Sequence, residues 1–469
     1  METLDFAVAL PEFKEEIYHI VEFGAVPGGI ALNSESLQKA IDVAASHGGG
    51  HVLVPRGIWL TGPIELKSGV DLHLAEGALL LFDKSKEANP LHITDYEGTR
   101  RIRAVSPIHA SHARDIGITG KGIMDGNGHL WRMAKEFKFT SREWEEKRSI
   151  SPDTFLSTEE GEVWYPTRTA FEGFLHGEPD LTKLDDATAL EMAAPYYDYY
   201  RPVMVELTHC SRILIEGVTL QNSPAWNLHP LFCDNLTLRD AWIRNDASAQ
   251  NGDGLDLESC KFVEIDRVSF DVGDDAICMK AGKNAEARKI DGPTEKIYIH
   301  DCTVYRGHGG FVVGSEMSRG VRHILVERCT FIGTDIGIRF KTAVGRGGVV
   351  EDITIRDINM VRIPGEAILF TMGYVFKTVK NGGLCEEEAG GVEGCLPEFK
   401  NISISRIFGR DIGWGIRIDG LAEMPVHDIC ISDVYLDAKN GVEMVNGDNV
   451  FLENVDVQVR GRGNKGQIC

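Results

Sequence analysis

The stretch Arg212–Leu220, RILIEGVTL, decides the fold, because the chain returns to its pattern eight more times. The later copies begin at Asn235 (NLTLRDAWI), Phe262 (FVEIDRVSF), Lys296 (KIYIHDCTV), His323 (HILVERCTF), Asp352 (DITIRDINM), Asn401 (NISISRIFG), Asp428 (DICISDVYL) and Asn449 (NVFLENVDV). Successive starts lie 21 to 34 residues apart, apart from one gap of 49 that holds an insertion. Within each copy, apolar and polar residues alternate in short Ile/Val/Phe-rich runs, the period of a strand with one buried face. A fixed period in the twenties means that each unit buries its apolar face against its neighbours. Strand repeats of this length without intervening helices predict an all-β, right-handed, single-stranded parallel β-helix. The Leu/Asn consensus of a leucine-rich repeat is missing.

Working outward, Ser34–Ser46 (SESLQKAIDVAAS) reads as an amphipathic helix, with Asn33 or Ser34 as its N-cap and Gly48-Gly49-Gly50 ending it. A coil of strands needs its open apolar end covered, and this helix is the expected N-terminal lid. His51–Leu60, Val70–Phe82 and Ile116–Met124 read as first rungs with irregular spacing. One domain over residues 1–469 is expected: cap and first rungs in 21–130, an aromatic-rich insertion in 131–200, and core rungs in 201–469 interrupted by an insertion at about 371–397. Repeat proteins grow along one axis, so this length does not require several domains.

Ten cysteines are present, and Cys210, Cys233, Cys260, Cys302 and Cys329 fall near equivalent repeat positions, as a buried column of small side chains would. Cys385 and Cys395 lie close together in the second insertion, where a pair or a metal site is conceivable. The net charge of −22 speaks against nucleic acid or an anionic membrane as partner. No apolar run is long enough to span a bilayer. The first twenty residues are acidic and lack the pattern of a secretory signal, so a cytoplasmic location is expected.

Between Asn251 and Lys341 four short motifs recur at one place in the repeat: Asn251-Gly252-Asp253, Gly273-Asp274-Asp275, Gly307-His308-Gly309 and Arg339-Phe340-Lys341. Taking Leu255/Leu257, Ile277/Met279, Phe311/Val313 and Ile338/Phe340 as inward pairs aligns the rungs. Asp253 and Asp275 then share a column about 4.8 Å apart in backbone terms. Asp274 and His308 share the column one residue earlier. Arg339 and Lys341 flank an inward Phe340, and Lys280 occupies the column of Lys341 two rungs away. Each motif alone reads as a turn or a solvated face. Three acids stacked on one face repel one another, and a fold has no structural reason to collect them. Such a cost marks a functional site.

In these four motifs, in this order on this fold, the chain resembles glycoside hydrolase family 28, the polygalacturonases. The likeness spans the chain from about Val21 to the last repeats, leaving Trp131–Tyr200 and Thr371–Pro397 outside its core pattern. It implies hydrolysis of an α-1,4 bond beside galacturonate with inversion and no metal or other cofactor. On that likeness Asp274 is the general acid and Asp253 with Asp275 activates water. His308 tunes the acid, and Arg339 and Lys341 grip the substrate carboxylate. Asn251, Lys280 and Arg319 join the expected substrate contacts. Like charges in close contact would keep one carboxyl protonated, supplying the acid. An inverting pair is expected about 6.5–9.5 Å apart. The insertion, with Trp144, Trp164, Tyr165, Tyr196, Tyr197, Tyr199 and Tyr200, is expected to wall off one end of the groove. That makes the activity exo, from the non-reducing end of a pectin-derived chain. Asn222–Trp226 and Gly314–Ser318 also look like the corresponding segments of bacterial exo-acting members. Three alternatives stay open: another uronic-acid linkage, a calcium-dependent pectate lyase, and a non-catalytic binding scaffold. The oligomeric state is not legible.

Overall fold

A computed structural model describes residues 6–460, apart from 152, 159–160, 375, 381–382 and 388–394. Twenty-nine strands form one continuous sheet whose pairings are all parallel, wound as a right-handed β-helix. Each coil contributes one strand to each of three faces. The first face carries Ser211–Glu216, Asp234–Arg239, Lys261–Asp266, Thr294–His300 and Val321–Glu327. The second carries Thr219–Gln221, Trp242–Arg244, Ser269–Asp271, Thr303–Arg306 and Thr330–Ile332. The third carries Val205–Thr208, Leu228–Leu231, Leu255–Glu258, Ile277–Lys280, Gly309–Val313 and Ile336–Lys341. Beyond this point the faces merge into long bending strands, Val349–Thr371, Glu398–Asp419, Val426–Val445 and Gly447–Val459.

The nine repeat starts share a backbone conformation as well as a pattern. Arg212, Asn235, Phe262, Lys296, His323, Asp352, Asn401, Asp428 and Asn449 all lie in the left-handed region, with φ between 49° and 59°. Asn and Asp tolerate that region because their short polar side chains bond locally. Arg212, Phe262, Lys296 and His323 adopt it because the stack on either side imposes it.

Inside the coil, Val263, Ile265, Ile297, Ile299, Phe311, Phe331, Phe340 and Phe370 are fully buried in one continuous core. Cys210, Cys233, Cys260, Cys302 and Cys329 are buried free thiols as expected, and the Cys233 N–H donates to Cys260 Sγ at 3.3 Å. Cys385 lies where side chains are not described, so the question of its pairing with Cys395 falls outside the described residues. The helix Ser34–Ser46 caps the first rung with Leu37, Ala40, Ile41 and Ala44. Asn33 precedes it but does not cap its first turn. Its side chain ties the Val26 and Leu60 backbones together instead, at 2.7 and 3.0 Å.

Two excursions matter for function. Residues 131–200 fold into three helices, Ser141–Ile150, Arg168–His176 and Asp186–Ala193, and a small antiparallel sheet. The stretch read as first rungs also contains an antiparallel hairpin, Leu91–Tyr96 with Thr99–Ala104.

Phe340 and Phe370 stack on adjacent rungs, ring centroids 4.5 Å apart and planes 2° from parallel. Replacing Phe370 by Ala should cost about 3–5 kcal/mol of stability, read as a lowered midpoint in chemical denaturation. A midpoint within error of wild type would contradict this account of the core.

Candidate active site

The third face places the four motifs. Leu255 pairs with Ile277, Ile277 with Phe311 and Phe311 with Ile338, so the rungs advance without slip. The Gly254 N–H donates to Asp275 O at 2.9 Å, which carries this register back to Asp253 beside Asp275. Gly309 follows in the same column, where the packing of Val312 leaves no room for a side chain. A Cβ there would strike Val312 at 2.4 Å. The His308 N–H donates to Asp274 O at 2.8 Å, holding the next column together.

One oxygen from each of Asp253, Asp274 and Asp275 lies within 4.8 Å of the others. This is tighter than the separation expected from an inverting pair, because all three belong to adjacent rungs at strand spacing. Asp274 Oδ1 is 3.0 Å from His308 Nδ1. Asp275 Oδ2 accepts from Lys341 Nζ at 2.6 Å, and Arg339 Nη1 stands 3.7 Å from Asp275 Oδ1. Asp253 Oδ1 and Asp275 Oδ1 are buried without a hydrogen-bond partner among the described residues.

These contacts divide the protons. Burial, with the charges of Asp274, Asp256 and Asp275 adding to it, pushes the Asp253 carboxyl well above the usual range. Burial works against ionisation of Asp274 too, but the hydrogen bond and charge of His308, with Lys341 and Lys138 behind, hold it below normal. Burial tends to lower His308, and Asp274 and Asp275 more than reverse that, raising it. Burial thus favours the protonated form of Asp253, while His308 favours the ionised form of Asp274.

The remaining expected contacts separate. Asn251 Oδ1 accepts from Arg201 Nη2 at 2.8 Å, so this residue joins the site through Arg201. Lys280 is buried, 3.0 Å from Glu316 Oε2 and 3.5 Å from Asp256 Oδ1, and serves as an internal counter-charge. Arg319 is not brought to the acids: it stacks on Phe232 and bonds Ala287 O and Ser259 Oγ. Tyr374, absent from the sequence reading, packs over both cations, 5.5 Å from the Arg339 guanidinium and 5.2 Å from Lys341 Nζ.

Two walls flank the acids and leave a half-open cavity between them. The hairpin lies over the third face, where Thr94 Oγ1 donates to Glu206 and Tyr96 packs against Trp226 with centroids 4.4 Å apart. Its tip, Gly98 (φ 70°), meets the Lys283 backbone so closely that a Cβ would sit 2.5 Å from Lys283 N. The insertion is the second wall, and its Lys138 Nζ donates to Gly273 O at 3.2 Å beside the acids. Together they enclose a cavity of about 460 Å³ lined by Tyr96, Trp131, Tyr165, Tyr199, Arg201 and Asn251 among others. The sequence reading gave this role to the insertion alone.

A parallel β-helix bearing clustered carboxylates and a paired-cation clamp in a half-closed groove is the architecture of a polysaccharide-cleaving enzyme. The sequence pattern of glycosyl hydrolases family 28 matches residues 194–457, more than half of the chain, and the protein belongs to that family. A probable polygalacturonase from Vitis vinifera is 28% identical over 425 residues, covering 88% of this chain and 73% of that one. An exo-poly-alpha-D-galacturonosidase from Dickeya chrysanthemi is 28% identical over 371 residues, covering 76% of this chain and 57% of its own length. The crystal structure of a hyperthermoactive exopolygalacturonase from Thermotoga maritima superposes with a TM-score of 0.76 at 28% identity, covering 97% of this chain and 94% of that one.

The ion pair makes a spectroscopic prediction. With Asp274→Asn, burial still disfavours the imidazolium while its main partner is gone, so the His308 titration should move to lower pH in NMR of the ring protons. An unmoved midpoint would dissolve the pair.

Proposed function

We infer that this glycoside hydrolase cleaves α-1,4-galacturonosidic bonds of galacturonan and oligogalacturonides, removing units from the non-reducing end with inversion. One observation carries the reading: three stacked carboxylates stand beside Arg339 and Lys341 in a groove that ends in a cavity. Arg339 and Lys341 match a galacturonate carboxylate on the leaving side, through charge-assisted hydrogen bonds that Arg makes in pairs. The walled groove favours a terminal sugar, in keeping with the exo-acting relatives.

The reaction follows from the proton inventory. The Asp274–His308 pair holds one proton at 3.0 Å, and Asp274 passes it to the leaving oxygen as the bond breaks. Water is oriented by Asp275 and Asp253, whose Oδ1 atoms are both buried without a hydrogen-bond partner among the described residues. Lys341 holds Asp275 Oδ2 at 2.6 Å and fixes the carboxylate in place, leaving Oδ1 to accept a proton from water. That outweighs the short carboxylate spacing, which alone would suggest a covalent route.

Asp274→Asn should lower kcat by at least about 10³-fold in a folded protein, and near wild-type turnover would overturn its role. One observation favours a second allocation, with Asp253 as the acid, since burial keeps that carboxyl protonated. A nitrophenyl galacturonide, whose leaving group needs no proton, separates the two. Activity on it returns in Asp274→Asn on the first allocation and in Asp253→Asn on the second.

The three acids also have the spacing of a cation site, which is where the calcium-dependent lyase alternative rests. A product time course on trigalacturonate and polygalacturonate in EDTA tests it. Early monogalacturonate without an unsaturated chromophore is expected. An absorbing product, or loss of activity to the chelator, would contradict hydrolysis, and an early ladder of mixed oligomers would contradict exo action.

A further inference from the structure

We propose that Arg201 binds the carboxylate of the terminal uronic acid inside the cavity, so that the enzyme reads an acid on both sides of the bond it cuts. The proposal rests on the galacturonan reading above and adds to Arg339 and Lys341 a specificity-determining residue on the other side of the bond.

The cavity is lined by three arginines and three acids, and their pairing is uneven. Glu178 accepts from Arg103 at 2.7 Å and from Arg101 at 3.2 Å. Glu97 stands 3.9 Å from Arg101, and Asp198 is 3.0 Å from Lys84. Each acid therefore already faces a cation, and Arg101 and Arg103 already face acids. Arg201 differs. Among the described residues its hydrogen-bond partners are all neutral oxygens: Pro224 O at 3.1 Å, Gln250 O at 2.9 Å and Asn251 Oδ1 at 2.8 Å. Those bonds use three of the five N–H groups of a guanidinium. The Nε–H and one N–H of Nη2 remain, and the positive charge has no carboxylate against it.

A half-buried guanidinium whose hydrogen bonds all go to neutral oxygens, with Glu97 acting on it only from a distance, is an arrangement that an anion relieves. Burial works against the charge here, pulling Arg201 below its ordinary range. The position fits the chemistry. Arg201 bonds Asn251, two residues before Asp253, and the Tyr96 phenol feels the charge of Asp253. An anion seated on Arg201 is thus part of the sugar on the non-leaving side. Tyr96, Trp131, Tyr165 and Tyr199 line the same cavity and give it walls of aromatic edge and hydroxyl. The ligand this describes is a hexuronic acid at a chain end.

The competing role is structural, with Arg201 merely stapling the loop that carries Asn251 and Asp253. Two trisaccharides that differ only in the non-reducing sugar, galacturonate or galactose, separate the roles, with kcat/KM measured for wild type, Arg201→Gln and Arg201→Lys. Wild type should prefer the acid-ended substrate by about 10²-fold or more. In Arg201→Gln that ratio should fall to near one, and Arg201→Lys should keep part of it. A wild type that cleaves both equally would overturn the proposal, as would an Arg201→Gln that loses the same factor on both. Should Arg201→Gln fail to fold, the wild-type ratio decides alone, supported by stronger competition from free galacturonate than from galactose. Hydrolysis of neither trisaccharide by wild type would remove the galacturonan reading, and the clamp with it.

Discussion

The site depends on one constraint, the unslipped parallel register of the third face. Leu255, Ile277, Phe311 and Ile338 stack at strand spacing, and every functional side chain is placed by its offset from them. A slip of one residue on a single rung would send the side chains of that rung to the opposite face. The fully buried aromatic column of Phe311, Phe340 and Phe370 makes such a slip costly. Arg339 and Lys341 reach the acids because Phe340 between them points into that column.

Given the register, electrostatics does the rest. Three carboxylates at strand spacing cannot all ionise, so protons and cations distribute among them. Burial favours the protonated form of Asp253, His308 pairs with Asp274, and Lys341 with Arg339 offsets Asp275. Each acid acquires a different state from a different neighbour. Behind them, Lys280 balances Asp256 and Glu316. This explains why residues equivalent in the repeat take unequal parts in the reaction.

Much of this was legible in the sequence because the repeat converts position into geometry. The strand starts, the columns of Asp253 with Asp275 and of Asp274 with His308, the flanking cations and the cysteine column all follow from counting offsets. What was missed lies off the repeat. The hairpin from Leu91 to Ala104 was left unassigned within the block of cap and first rungs, although alternation on both sides of Glu97-Gly98 is a hairpin signal. Tyr374 belongs to the second insertion, where no register exists to count from. Lys280, placed by its column, and Arg319 were both expected at the substrate, and only packing reveals that Glu316, Asp256 and Glu258 face them. The seat of the proton depends on burial, which a pattern of residue types does not encode.

The most direct test of the central claim, that these stacked carboxylates direct a water rather than attack the sugar, is the anomeric configuration of the first product. Proton NMR during the first turnovers of trigalacturonate should record the newly released galacturonate as the β-anomer, converting to the α-form only by mutarotation. First appearance of the α-anomer would mean retention and a covalent intermediate, and would contradict the account.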